Sequence, residues 1–292
     1  MDVNKTSPKV YLFFYKHIII FKYMKYALIS ISAIIIAIGI SILIVLLINK
    51  KYKMKGWMKG VLIPLSSLLL TFLFVLSYFA INYPASKNAK SYLKSDEEIN
   101  LNINQHWCYF DNKENDDTAI IFYSGAKVDP AAYSPLCNNI AHMGIDVYLM
   151  KMPLYFPLLN MNAADQVASL NKYHNLYMMG HSLGGTTAAL YLSKTKYTSY
   201  KGIIFLASYP NKKLNDSYKC LSIYGTNDLV LNKKEYNKNI SNFPINYKEV
   251  IIEGGNHSNF GDYGHQRNDG VASISKEEQI NITKQEIMDF IK

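Results

Sequence analysis

The hydrophobic residues near the start of this chain form two long, uncharged runs. Residues 27–48 and 60–81 are each 22 residues long and contain no charged side chain. A run of that length and apolarity is long enough to cross the hydrocarbon core of a membrane as a helix. Both runs exceed the apolar region of a cleavable signal peptide, which has about 7 to 15 residues. Residues 27–81 are therefore predicted to form a hairpin of two retained transmembrane helices.

After residue 100 the apolar residues come in short runs that alternate with amphipathic stretches. Short apolar runs bounded by turn residues predict buried strands, and longer stretches with helical spacing predict helices. This alternation is typical of a mostly parallel sheet covered by helices on both faces. The predicted strands are residues 103–110, 118–123, 146–150, 175–179, 202–207, 219–224 and 247–252, and the main predicted helices are 183–192 and 276–291. The short link between the strands ending at 207 and beginning at 219 leaves no room for a large cap.

Composition divides the remaining sequence into three regions. Residues 1–26 are aromatic and apolar but are interrupted by lysines, as in a segment that lies at a membrane interface. Residues 82–100 are polar and are expected to form a stalk. Residues 101–292 contain the strand–helix alternation and are expected to form one globular domain.

Charge is distributed unevenly along the chain, whose formal net charge is +9. Before residue 61, ten lysines face one acidic residue, Asp2, whereas the remainder has 21 basic and 21 acidic residues. A neutral globular region argues against a nucleic-acid-binding domain. The link 49–59 carries five lysines, and this excess over the outer flanks predicts that the link lies in the cytoplasm. Residues 101–292 are then expected outside the cytoplasm of a two-pass membrane protein.

The most informative short motif is Gly-His-Ser-Leu-Gly at residues 180–184. Ser182 is predicted at the corner between the strand 175–179 and the helix 183–192. Such a corner strains the serine backbone and crowds the flanking positions, which favours glycine there. The helix start directs N–H groups and the positive end of its dipole towards the hydroxyl. Ser182 is therefore the expected nucleophile, and Leu183 N–H is the first expected oxyanion donor.

A second oxyanion donor is expected in the loop that follows the strand 118–123. The loop reads Ser-Gly-Ala-Lys at residues 124–127. We favour the N–H of Ala126, with the N–H of Lys127 as the second choice.

A serine nucleophile needs a base within hydrogen-bond reach and an acid that orients the base. Asp228 and His257 both come just after predicted strands. Because the carboxyl ends of parallel strands share one edge of a sheet, these side chains can converge there with Ser182. The weaker alternatives are His265, His181, His174 and His142 for the base, and Asp216, Glu253 and Asp262 for the acid. The side chain of His181 is expected to point away from Ser182.

These motifs together resemble the alpha/beta-hydrolase superfamily, and more narrowly the bacterial alpha/beta-hydrolase family 5. That family is related to dienelactone hydrolases and often carries an amino-terminal membrane anchor. The likeness extends from about residue 83 to the carboxyl end and rests on four blocks, at residues 122–136, 151–153, 180–185 and 254–270. It implies an alpha/beta-hydrolase fold, with Ser182 as nucleophile, Asp228 as acid and His257 as base.

The resemblance does not supply a substrate. Dienelactone hydrolase itself is understood to use a cysteine nucleophile, whereas Ser182 stands at the matching position, which argues against that activity. Ser124 and Ala126 stand where proline and glycine are expected in the family.

No cofactor or metal is expected. Cys108, Cys137 and Cys220 have no CxxC spacing and cannot all pair, so neither a disulfide framework nor a zinc site is implied. The loop with Asp262 and Asp269 is the one cation candidate, but glycine-rich polar loops more often simply turn.

Three functions remain open from the sequence. The first is a membrane-anchored serine hydrolase, esterase-like or lipase-like, that cleaves a small-molecule or lipid ester through an acyl-enzyme on Ser182. The second is a cell-envelope acyltransferase that uses the same three residues. The third is a non-catalytic, membrane-tethered binding module. The apolar loop 153–159 is expected either to line an acyl pocket, to dip towards lipid, or to pack over the sheet edge.

Overall fold

A computed structural model of the chain describes residue 32 and residues 34–113 and 117–292. The chain divides into two compact units between Tyr78 and Phe79. The interfacial segment predicted at residues 1–26 and the start of the first predicted membrane run lie outside the described residues.

The first unit contains two long apolar helices, α1 (Ile34–Tyr52) and α2 (Gly56–Ala80). Their length and composition fit membrane spans, as expected from the sequence. The helix α1 continues to Tyr52, four residues beyond the predicted end at 48, and α2 begins four residues before the predicted start at 60. Serine hydroxyls inside α2 donate hydrogen bonds to carbonyl oxygens of the same helix: Ser66 Oγ donates to Leu62 O at 2.6 Å, and Ser67 Oγ donates to Ile63 O at 2.7 Å. Such internal bonds suit a helix that has no water around it.

The second unit is built on an eight-stranded sheet with strand order β1-β2-β4-β3-β5-β6-β7-β8. The pairs β1–β2 and β2–β4 are antiparallel, and the remaining pairs are parallel. The strands are β1 (Ile99–Ile103), β2 (Trp107–Asn112), β3 (Thr118–Tyr123), β4 (Asp146–Met150), β5 (Asn175–His181), β6 (Tyr200–Leu206), β7 (Lys219–Gly225) and β8 (Lys248–Ile252).

Helices cover both faces of this sheet. On one face α4 and α8 contribute Leu136 and Ile287 to a buried apolar cluster, and on the other α5 and α6 contribute Val167 and Ala188 to a second cluster. The helices of this unit are α3 (Lys87–Ser91), α4 (Ser134–Ala141), α5 (Asp165–Ala168), α6 (Leu183–Leu192), α7 (Lys233–Lys238) and α8 (Lys276–Ile291). The predicted fold class is confirmed, including the absence of a large cap between β6 and β7 in the described chain.

The first predicted strand is wrong. Residues 103–110 are not one strand but the end of β1, a turn, and the start of β2. Asn104 Oδ1 accepts hydrogen bonds from the N–H groups of His106 (2.7 Å) and Trp107 (3.0 Å), which closes the turn. An asparagine side chain can thus replace the glycine or proline that usually marks a hairpin.

The segment predicted as a stalk is part of the folded unit. Tyr83 N–H donates to Lys127 O at 2.6 Å, and Ser86 N–H donates to Asp262 O at 2.9 Å. Ala89, in α3, is fully buried in the apolar cluster beneath α4. The stalk assignment of residues 82–100 therefore needs correction, because this stretch is held against the domain rather than free of it.

Candidate active site

Ser182 lies at the corner between β5 and α6, as the sequence predicts. Its backbone has φ 52° and ψ −124°, a conformation that non-glycine residues rarely adopt. Ser182 N–H donates to Leu206 O at 2.9 Å, and Ser208 Oγ donates to Ser182 O at 2.6 Å. These bonds hold the strained residue in place, which is the arrangement that exposes a nucleophilic serine.

The glycines around this corner allow its close packing. A Cβ on Gly180 would lie 2.3 Å from Gly185 N, and a Cβ on Gly184 would lie 2.2 Å from Tyr123 O. Contacts below 3.0 Å with backbone atoms cannot be relieved by a side-chain movement. The start of α6 is therefore pressed against the end of β3, beside the loop that carries Ala126.

His257 and Asp228 form a buried hydrogen-bonded pair. His257 Nδ1 lies 2.9 Å from Asp228 Oδ2. The other carboxylate oxygen of Asp228 accepts hydrogen bonds from the N–H groups of Val230 (2.9 Å) and Leu231 (2.7 Å). A carboxylate oxygen accepts in such a contact and the Nδ1–H group of His257 donates, which leaves Nε2 as the nitrogen that can accept a proton.

Ser182 and His257 line one cavity of about 240 Å³, together with Leu183, Ser208 and Leu231. The structure thus brings Ser182 to the same cavity as the His257–Asp228 pair. Ser182 Oγ makes no hydrogen bond to another described residue. In ligand-free sites such bonds are often long and tighten only when substrate binds.

The two predicted oxyanion donors are placed differently. Leu183, the first residue of α6, lines the cavity. Ala126 is not among the residues that line it, but lies two residues beyond Ser124, whose carbonyl oxygen a Cβ on Gly184 would approach to 2.3 Å. The second choice, Lys127, uses its N–H to donate to Tyr155 O at 2.7 Å. Ala126 therefore stays the preferred prediction.

His181 takes a position that the sequence did not reveal. It is fully buried, and its ring lies against that of His257 with centroids 4.5 Å apart. His181 Nδ1 is 2.8 Å from Tyr133 Oη, and the same hydroxyl accepts the N–H of Gly125 at 3.1 Å. Burial lowers the pKa of His181 well below its usual value, and the neighbouring His257 lowers it further. His181 is thus a neutral support for the ring of His257.

The alternative candidates for the acid and the base are not part of the Asp228–His257 pair, and most of them contact other residues. Asp262 pairs with Lys276, and Asp216 with Lys213. Glu253 accepts a hydrogen bond from Thr226, while the exposed His265 lies outside the Asp228 pair. The other two candidate histidines, His142 and His174, contact acids away from the cavity, in the pairs His142–Asp96 and His174–Asp117.

The acidic loop considered as a cation candidate is used for internal bonding. Asp269 accepts hydrogen bonds from the N–H groups of His257 (3.3 Å) and Ser258 (2.8 Å), and also from Ser258 Oγ. Asp262 accepts from Ser86 Oγ at 2.5 Å and pairs with Lys276. Among the described residues, no three metal-ligating side chains come together. Asp269 instead shapes the loop that presents His257.

Comparison with known proteins gives one family match. The model of the alpha/beta hydrolase family matches residues 119–281, which is more than half of the chain. No curated protein sequence matches.

Several solved structures are similar in three dimensions. A putative hydrolase from Agrobacterium vitis S4 is 10% identical, with 66% of this chain and 99% of that chain covered and a TM-score of 0.49. The alpha/beta hydrolase MGS-MChE2, from the metagenome of lagoon sediments at Mar Chica, Morocco, is 13% identical, with 65% and 98% covered and a TM-score of 0.48. The carboxylesterase CesB from Bacillus subtilis is 9% identical, with 74% and 98% covered and a TM-score of 0.47.

Proposed function

The chain belongs to the alpha/beta hydrolase family, and on that premise we propose that it is a serine hydrolase that cleaves carboxylic esters through an acyl-enzyme on Ser182. The observation that carries the proposal is the buried contact between His257 Nδ1 and Asp228 Oδ2, 2.9 Å, beside the cavity that Ser182 also lines. A base oriented by an acid next to a strained serine is the arrangement that acyl transfer requires.

In the proposed reaction Ser182 Oγ attacks the carbonyl carbon of the ester while its proton passes to His257 Nε2. The resulting oxyanion accepts hydrogen bonds from the N–H groups of Leu183 and Ala126. The ester C–O bond then breaks, and the leaving alkoxide takes the proton from His257. Water then gives a proton to the same nitrogen and attacks the acyl carbonyl carbon. The bond between Ser182 Oγ and the acyl carbon breaks, Ser182 Oγ takes the proton back from His257, and the carboxylic acid leaves.

Asp228 has two tasks in this scheme. It fixes His257 with the proton on Nδ1, and its charge stabilises the imidazolium that forms after each proton transfer. Because Val230 and Leu231 hold its second oxygen through backbone N–H groups, the carboxylate stays oriented throughout. The start of α6 adds its positive dipole end at the position where the oxyanion develops.

The proposal is tested with the full chain in detergent and a soluble ester, p-nitrophenyl butyrate. The wild type should hydrolyse it, and Ser182→Ala should lower kcat by about 10⁴-fold or more. Ser193→Ala, in an exposed serine at the end of α6, is the matched control and should keep full activity. Full activity of Ser182→Ala would contradict the proposal, and an inactive wild type would favour a binding module.

An acyltransferase would pass through the same acyl-enzyme and differ only in the acceptor. Adding an alcohol to the assay separates the two functions. A hydrolase releases free butyrate as its main product, whereas a transferase forms the butyrate ester of the added alcohol.

The proposed enzyme is anchored in the cell membrane by α1 and α2, with the lysine-rich link between them in the cytoplasm and the folded unit outside. The charge of residues 49–59 supports this orientation. Protease added to intact cells should then digest residues 101–292. If this region is protected in intact cells and digested only after permeabilisation, the folded unit lies in the cytoplasm and the proposed orientation is wrong.

A further inference from the structure

The segment that follows α2 meets the folded unit where the parallel strands have their carboxyl ends, which is the edge of the sheet at which Ser182 also lies. Tyr83 pairs with Val128 in a parallel bridge, and its carbonyl oxygen accepts the N–H of Asp129 at 3.0 Å. Both partners lie in the loop that leaves the carboxyl end of β3. That strand neighbours β5, and its last residue, Tyr123, pairs with Gly180, two residues before Ser182.

The tether before Tyr83 is short. The helix α2 ends at Ala80, so only Ile81 and Asn82 lie between the helix and Tyr83. Three peptide steps span at most about 11 Å. If α2 crosses a membrane, covalent geometry alone keeps Tyr83 close to the membrane surface.

The same edge of the sheet exposes a set of apolar side chains. Leu158 and Leu159 follow β4, Leu229 follows β7, and Val271 lies in the long loop after β8. Leu159 is 54% exposed, Leu229 is 72% exposed and Val271 is 80% exposed. We call the four residues Leu158, Leu159, Leu229 and Val271 the apolar rim.

Two contacts connect the rim with the candidate active site. Asn227, the residue before Asp228, donates from its side-chain amide to Val271 O at 3.0 Å. Leu158 and Leu159 shortly precede Met161, whose carbonyl oxygen accepts a hydrogen bond from Tyr123 Oη at 2.7 Å. Tyr123 ends β3, which is the strand beside Ser182.

We propose that a lipid surface covers the apolar rim, so that the active site works on acyl lipids of the membrane in which the chain is anchored. Single exposed apolar residues are ordinary on soluble proteins. Here they lie on the same edge of the sheet as Tyr83, which at most about 11 Å of chain joins to the end of α2, and burial in lipid removes their contact with water. The substrate part of this inference rests on the proposed ester hydrolysis, whereas the lipid contact does not.

The lipid contact is tested with single fluorescent labels on the full chain in vesicles of phosphatidylglycerol and phosphatidylethanolamine. The three native cysteines are buried, so an introduced surface cysteine can be labelled selectively. Leu159→Cys and Val271→Cys place labels on the rim. Leu170→Cys and Ile245→Cys are matched controls, because these residues are 51% and 77% exposed but precede β5 and β8 at the opposite edge of the sheet.

Lipids with bromine on their acyl chains quench fluorophores that enter the bilayer. Labels at 159 and 271 should be quenched, whereas labels at 170 and 245 should be quenched only by a water-soluble quencher. Equal access of the water-soluble quencher to all four positions would overturn the proposal.

The substrate class is tested with the variant Leu158→Gln/Leu159→Gln and its control Leu170→Gln. On an ester lipid in the same vesicles the rim variant should lose about tenfold in rate, because its contact with the bilayer is weakened. On p-nitrophenyl butyrate it should match the wild type. An unchanged rate on the lipid, or an equal loss on both substrates, would contradict the assignment of acyl lipid as substrate.

The two proposals fail in distinguishable ways. If the wild type is inactive on p-nitrophenyl butyrate but its rim labels are quenched, the proposals of ester hydrolysis and of a lipid substrate are wrong. The proposal that lipid covers the apolar rim would still stand. If the wild type is active but its rim labels are exposed to water, only the proposal that lipid covers the apolar rim is wrong.

Discussion

The ring of His181 lies against the ring of His257, with their centroids 4.5 Å apart. The same histidine is 2.8 Å from Tyr133 Oη, which in turn accepts the N–H of Gly125 at 3.1 Å. Gly125 directly precedes Ala126, the proposed oxyanion donor. One buried side chain therefore connects the loop that carries Ala126 with His257, the proposed general base. We infer that His181 is a positioning residue for His257.

Replacing His181 with glutamine should lower kcat by about tenfold and leave KM nearly unchanged, because His257 loses the ring that supports it and sits less well in line with Ser182. Steady-state kinetics on p-nitrophenyl butyrate measures both constants. His265→Gln, in an exposed histidine, is the control and should be silent. If KM rises while kcat is kept, His181 acts on substrate binding instead.

The stability of the folded unit should depend on pH through His181. Burial lowers the pKa of this group, so the folded protein resists the proton that the unfolded chain accepts near its ordinary pKa of about 6.5. Above that pH neither state binds the proton, and the free energy of unfolding keeps its full value. It decreases as pH falls from there towards the lower pKa of His181 in the folded protein. Thermal melts of the wild type should therefore shift down between neutral and acidic pH.

The variant His181→Gln should show a smaller downward shift over the same pH range, because glutamine does not titrate. His265→Gln should keep the wild-type dependence. Identical pH dependence in all three proteins would show that other groups cause the acid sensitivity.

Two buried acids should respond differently to the same substitution. Asp228→Asn should lower kcat by about 10⁴-fold with a small change in stability, because the amide does not hold His257 in the productive tautomer. Asp262→Asn should lower the free energy of unfolding by about 2 kcal/mol, since its partners Lys276 and Ser86 lose a charged acceptor. Its kcat should stay close to the wild-type value.

Kinetics combined with urea unfolding checks this pair of variants. An Asp228→Asn protein with near-normal kcat would contradict the role given to Asp228. A strong loss of kcat in a well-folded Asp262→Asn protein would reopen the choice of the acid.

Gly184→Ala should destabilise the folded unit by about 3 kcal/mol, because a Cβ would lie 2.2 Å from Tyr123 O at the turn that presents Ser182. Gly60→Ala, in α2, is the control, since nothing lies within 4 Å of the position where its Cβ would be. Thermal unfolding with residual hydrolysis measures the effect. Equal stability of the two variants would contradict the packing described at Ser182.

Much of the parallel sheet could be predicted from the sequence. Strands β3 and β4 match the predicted residues 118–123 and 146–150, and α6 matches 183–192. Each is a short apolar run or an Ala- and Leu-rich stretch with clear turn residues beside it, so local pattern and burial agree. The antiparallel edge was harder, because the turn at Asn104 depends on a side-chain hydrogen bond that leaves no glycine or proline signal.

Part of the candidate site could also be predicted from the sequence, and part depends on packing between distant segments. Ser182, Asp228 and His257 each follow a predicted strand, so topology alone brings their positions to one edge. The sequence predicts that the His181 side chain points away from Ser182 and gives no sign of its contact with His257, because that contact joins elements far apart in sequence. The involvement of Lys127 N–H with Tyr155 O likewise depends on how two loops pack. Residues 82–93 have the polar composition of a free linker, so their sequence does not predict that they pack against the folded unit.

The proposed function depends on the activation of Ser182 by His257 and Asp228. Its most direct test is labelling of the full chain with a fluorophosphonate, followed by mass spectrometry of the peptide that contains residue 182. We expect one adduct on Ser182 in the wild type, slower labelling in Asp228→Asn and none in Ser182→Ala. A folded wild type that remains unlabelled, or a Ser182→Ala protein labelled to the same extent on another serine, would contradict it.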